Sequence, residues 1–189
     1  MPHATLAACI FDRWRPVIGD PHLMGWLTVV LYAAVALLAV TVLRRGRSAG
    51  APGFWAVIAL VMAFLAVNKQ LDLQSALTAA GRCLALAQGW YDDRRMVQIA
   101  FIAGLLVMAP LALWLAARML RGRLLSNWPA LAGLVFVCAF VLIRAVGFHG
   151  MDTLIGLNVH GVRVNWALEW TGPLLIAANA LWLLRRRQT

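Results

Sequence analysis

Nine polar residues set among apolar ones are the candidates for chemistry in this chain: Asn68, Lys69, Asp72, Gln98, Arg144, His149, Asp152, Asn165 and Glu169. His149 with Asp152 or Glu169 has the groups for acid–base catalysis. Lys69 and Arg144 could neutralise an anion such as phosphate, sulfate or carboxylate, while Asn68, Asp72, Gln98 and Asn165 supply hydrogen bonds to a ligand. The same side chains offer a divalent metal one imidazole nitrogen, from His149, and carboxylates from Asp152, Glu169 and Asp72. The His-x-x-Asp spacing is short and common, and no HExxH is present. A purely structural role is the alternative, in which Glu169 pairs with Lys69 or Arg144 to fix helix packing.

Spacing decides which of these can meet. Asn68 and Asp72 are four apart, as are Asn165 and Glu169, so each pair shares a helix face. His149 and Asp152, three apart, share one if their helix continues past Gly147 and Gly150. Lys69 is the sole lysine, and it sits about a turn inside an apolar run, where its ammonium either snorkels to the head groups or faces inward. Five polar side chains within seven residues, Asn68, Lys69, Gln70, Asp72 and Gln74, cannot all face lipid. A charge at that depth costs less than the ~2.5–3.5 kcal/mol of the helix centre, yet enough to require a partner or a use. Lys69, Gln98, Arg144 and Glu169 fall at similar depth on four different runs, which predicts a cation-rich polar chamber.

Those runs are what must position the residues. The chain has 189 residues, 63% hydrophobic and 13% charged, with mean hydropathy +0.80; a soluble domain has roughly 45–50% apolar residues. Five runs, about 25–43, 53–72, 97–117, 128–147 and 165–184, approach the ~20 residues that cross a bilayer. The alternation of barrel strands is missing. The expected fold is an all-α integral membrane protein, a single domain built as a five-helix transmembrane bundle.

Charge orients it. The clusters Arg44-Arg45-Arg47, Arg118-Arg121-Arg123 and Arg185-Arg186-Arg187 follow the first, third and fifth runs, so all lie on one side with no acid among them. The positive-inside rule makes that side cytoplasmic and the amino terminus extracytoplasmic. A bacterial inner-membrane location is expected, and the net charge of +10 then reflects orientation and attraction to anionic lipids rather than nucleic-acid binding. No basic segment followed by an apolar core and a cleavage site opens the chain, so no signal peptide is expected. Trp55, Trp114, Trp128 and Trp182 fall near one set of helix ends and Trp14, Trp26, Trp90, Trp166 and Trp170 near the other, as anchoring belts do.

The connections add further expectations. Apolar positions recurring at three and four over 73–88, with Gly89 as a stop, predict an amphipathic helix on the extracytoplasmic surface. Pro110 should kink the third span. Ser126-Asn127 before Trp128-Pro129 signals the start of the fourth. Cys9 and Cys83 share the side where oxidising conditions permit a bridge if they approach; Cys138 sits within a span, and no CxxC occurs.

At NKQLDLQ, AQGWYDDRR and the segment from RxxxFHxxD to NWxLE, the sequence resembles a small bacterial polytopic membrane-protein family often labelled isopropylmalate isomerase. The resemblance covers about residues 54–180 and implies that the three motifs form one site. It implies no activity: the soluble isomerase of that name holds an iron–sulfur cluster on cysteines, and the three here are dispersed. Gly150 stands where the resemblance leads one to expect a second His. Two function classes follow. One is a protein handling an anionic or lipid head-group-like ligand at the outer leaflet, as an embedded enzyme or a binder. The other is a non-catalytic accessory or assembly subunit of a larger membrane complex.

Overall fold

The helices form where lipid demands them, because a backbone in hydrocarbon must satisfy its own hydrogen bonds. In the computed structural model, which describes residues 5–46, 51–146, 158–159 and 162–186, five helices are long and apolar enough to cross a membrane. They are α2 (Leu23–Arg44), α3 (Pro52–Leu71), α5 (Arg94–Met119), α6 (Leu124–Val146) and α7 (Val164–Arg185). By helix length and hydropathy this is a multi-pass membrane protein. Among the described residues there are two shorter α-helices, α1 (Leu6–Arg13) and α4 (Leu73–Gln88).

The core is a four-helix assembly of α2, α3, α6 and α7. Helices α2 and α3 pack along one another, α6 and α7 do likewise, and α2 joins the pairs by lying against α7. On α2 the buried face runs Thr28, Tyr32, Val35, Ala39 and Val42, the three-and-four spacing of one helix side. Phe54, Ile58, Met62 and Leu65 do the same on α3. Between α6 and α7 the contact rests on two glycines. A Cβ on Gly172 would lie 2.7 Å from the Gly133 carbonyl oxygen, and one on Gly133 would lie 2.5 Å from that of Gly172. Small residues here let the two backbones approach, the usual way helices associate where lipid already surrounds every apolar surface.

Helix α5 differs. It meets α6 and, more briefly, α3, and it leaves Phe101, Leu106, Val107, Met108, Leu111 and Leu115 exposed around its circumference. It runs unbroken through Pro110.

Several boundaries move relative to sequence expectation. Helix α6 begins at Leu124, four residues before Trp128, because Asn127 is not an N-cap. Its side chain donates to the Arg123 carbonyl at 3.1 Å and accepts from Trp55 Nε1 at 2.9 Å. Trp55 is correspondingly fully buried instead of anchoring at the interface. A helix does span Leu73–Gln88 and ends at Gly89, whose φ of 78° takes the left-handed conformation glycine accepts without strain. It is separated from α3 by Asp72 alone, itself left-handed at φ 46°. An element not foreseen is a minimal antiparallel pair, Asn158–Val159 with Val162–Arg163, just before α7.

Candidate functional site

At the end of the core where α3 stops and α7 begins, the sequence places charged groups inside apolar helices, and the structure pairs them. Lys69, in the last turn of α3, reaches Glu169 of α7, its Nζ 3.1 Å from both carboxylate oxygens. Tyr32 of α2 donates its hydroxyl to Glu169 Oε1 at 3.3 Å. The ammonium also lies 3.5 Å from Asp20 Oδ2, in the segment leading into α2. Glu169 is 5% exposed, so its charge depends on these partners rather than on water.

The segment holding Asp20 is sewn onto the end of α3. Gly19 N–H donates to the Gln70 carbonyl at 2.8 Å, and the Gln70 side chain both accepts from Asp20 N and donates to Asp20 O, each at 3.2 Å. Trp14 Nε1 donates to the Leu71 carbonyl at 3.2 Å. Asp20 in turn presses against Gly25, where a Cβ would lie 2.4 Å from the Asp20 carboxyl carbon. Further out, a disulfide joins Cys9 of α1 to Cys83 of α4, closing a separation of 74 residues, with Cα atoms 6.0 Å apart. The bridge left open by the sequence is therefore formed, and it lies at the same end of the bundle as the ion pair.

These elements wall a cavity of about 320 Å³. Its polar lining includes Asp20, His22, Asn68, Lys69, Asp72 and Glu169; aromatic surface comes from Tyr32, Phe140 and Trp166. A second hollow of about 360 Å³ lies at the opposite end, lined by Trp114, Ala117, Arg118 and Arg121. All four belong to α5 and the turn after it, whereas the Lys69 cavity is walled by four helices and the segment leading into α2, which carry opposite charges, and this makes the latter the candidate site.

The nine residues singled out by sequence divide as follows. Lys69, Glu169, Asn68 and Asp72 meet at the cavity. Asn68 Oδ1 also accepts from Leu73 N at 3.2 Å, and Asp72 Oδ2 accepts from the Ser75 hydroxyl at 2.6 Å, so both also shape the joint between α3 and α4. Gln98, Arg144 and Asn165 lie on α5, α6 and α7, with side chains outside the described set. His149 and Asp152 lie outside the described residues. Among the described residues no three His, Cys, Asp or Glu side chains are grouped to hold a metal ion.

Sequence pattern does not mark Tyr32, Asp20 or His22 as site residues. A tyrosine in an apolar run carries no charge to mark it, and Asp20 reaches the site through a chain excursion rather than helical spacing. The signal that could have found Asp20 is Gln70, whose amide has both a donor and an acceptor to satisfy. Among the described side chains the cavity has three carboxylates, Asp20, Asp72 and Glu169, and one ammonium, Lys69; Arg144, the second cation expected there, has its side chain outside the described set.

A second polar cluster lies toward the arginine-bearing ends. Trp55, Asn127 and Asn179 are all buried there, and Asn179 Nδ2 donates to the Ser126 carbonyl at 2.9 Å, while its Oδ1 has no hydrogen-bond partner. It contains no charged side chain. Compared with family models, curated proteins and solved structures, the chain matches none, so the functional reading rests on this geometry.

Proposed function

We propose that the chain is an inner-membrane protein with its amino terminus and the Lys69 cavity on the extracytoplasmic side, and that this cavity takes a charged, lipid head-group-like ligand. The observation that carries the ligand reading is the Lys69–Glu169 pair, its carboxylate buried, opening onto a walled cavity at a helix end. A pair serving packing alone needs no such space beside it. Orientation is supported twice: the arginine clusters lie at the opposite helix ends, and the Cys9–Cys83 bridge belongs in an oxidising compartment. In this reading the Lys69–Glu169 pair sets the charged wall against which the ligand is held and oriented. Any acid–base step would draw on His149 and Asp152, and a divalent metal would draw on those two with Glu169.

The test is Glu169→Gln, which keeps shape and hydrogen bonding but removes the charge. Purified from membranes, the wild-type protein should carry a polar lipid or small molecule that survives mild detergent. The variant should remain folded and lose it. Equal retention by both would remove Glu169 from ligand binding. Impermeant labelling of a cysteine placed at 121 in intact cells should fail, and success would invert the orientation.

The accessory-subunit reading is favoured by α5, whose apolar circumference meets little of the protein. A stoichiometric membrane-protein partner retained in mild detergent, with no small molecule, would support it.

A further inference from the structure

The charge arrangement in the cavity bears on which head group fits. Resting on the head-group reading, we infer that the cavity receives a primary ammonium, as in an aminoethyl phosphate head group, rather than a bare anion.

Lys69 is already engaged. Both Glu169 oxygens lie 3.1 Å from its Nζ and Asp20 Oδ2 lies at 3.5 Å, so carboxylates already hold its charge. A phosphate approaching it must displace one of them. Among the described side chains it would also approach three carboxylates balanced by one ammonium, in a partly desolvated space where like charges repel more than in water. An ammonium meets the reverse situation. Asp20 gives one oxygen to Lys69, and Asp72 gives one to Ser75. A carboxylate has about four lone-pair sites, so both keep acceptor capacity for a second donor. The aromatic surface of Tyr32, Phe140 and Trp166 is compatible with a cation, through the negative face of each ring. At about 320 Å³ the space suits a head group of a few heavy atoms; ligand pockets begin near ~300 Å³.

A primary ammonium donates hydrogen bonds, and a quaternary one of equal charge does not. The inference therefore separates phosphatidylethanolamine from phosphatidylcholine as well as from anionic phosphatidylglycerol.

The experiment exposes the full-length protein in detergent to an equimolar mixture of the three lipids with matched acyl chains and reads retained adducts by native mass spectrometry. Phosphatidylethanolamine should be favoured over each of the others by about tenfold, roughly one good contact. Asp20→Asn with Asp72→Asn should bring the ratio near one, and Arg118→Ala, at the far end, should leave it unchanged. Preference for phosphatidylglycerol, or equal retention of the ethanolamine and choline lipids with the glycerol lipid excluded, overturns the primary-ammonium assignment and leaves the head-group reading standing. Diacylglycerol of the same acyl chains, offered in a parallel mixture, should not be retained; retention as strong as that of any phospholipid overturns both. Should the double variant not fold, wild-type protein supplies the check: phosphoethanolamine should raise its Tm, with phosphocholine and inorganic phosphate having no effect. That soluble probe also separates recognition of the head group from recognition of a lipid. A rise with phosphate alone overturns the inference.

Discussion

Near one end of the four-helix core, Lys69 and Glu169 meet as ions beside a cavity; near the other, Trp55, Asn127 and Asn179 are buried as neutral groups. The two clusters join similar elements and differ in what burial costs. A neutral amide or indole loses a modest solvation energy that one hydrogen bond largely restores. An ion loses far more and is retained only with an opposite charge and further hydrogen bonds around it. The indole–amide pair therefore reads as packing. Carboxylate and ammonium, with Tyr32 and Asp20 added, form an arrangement that packing alone does not require.

The contrast can be broken most sharply at Lys69. Lys69→Met strands Glu169 without its cation, and we expect a loss of about 3–5 kcal/mol, read as a fall in Tm in detergent. Lys69→Met combined with Glu169→Leu should recover most of it. A single variant as stable as wild type would show that the ion pair resembles the neutral cluster after all. Next in size is Trp55→Phe, which leaves Asn127 Oδ1 without its donor inside the bundle; about 1–3 kcal/mol should be lost, with no change in any bound head group. Loss of ligand there would join the two clusters functionally. Arg118→Ala should have the smallest effect, within about 0.5 kcal/mol, because Arg118 is exposed and its described interaction is with Trp114, 5.2 Å from the ring centroid. A large loss would mean that this basic end supports the core as the ion pair does.

Five spans could be read from the chain because crossing hydrocarbon demands a minimum apolar length, and the runs ending near Arg44, Leu71, Met119, Val146 and Arg185 meet it. Lys69 and Glu169 could be read as candidates for the converse reason, that charge inside such a run must be accounted for. Tyr32 could not, since its partner Glu169 is 137 residues away and only packing of α2 on α7 brings them together. The same holds for Trp170 Nε1, which donates to Thr28 Oγ1 at 2.9 Å across that interface. Asn127 misled because the residue that caps a helix start in solution here reaches across to an indole. Local pattern finds which groups are costly to bury, and tertiary packing decides what satisfies them.

The disulfide has a consequence for biogenesis. Cys9 precedes the first span and Cys83 follows the second, so the bond cannot close until the ribosome has made both and the membrane has accepted the hairpin between them. If the second span stalls, the thiols are left on opposite faces; if the whole pair enters inverted, both sit among cytoplasmic reductants. In the proposed orientation, only the correctly threaded chain can oxidise, and the bond is a covalent record of its insertion.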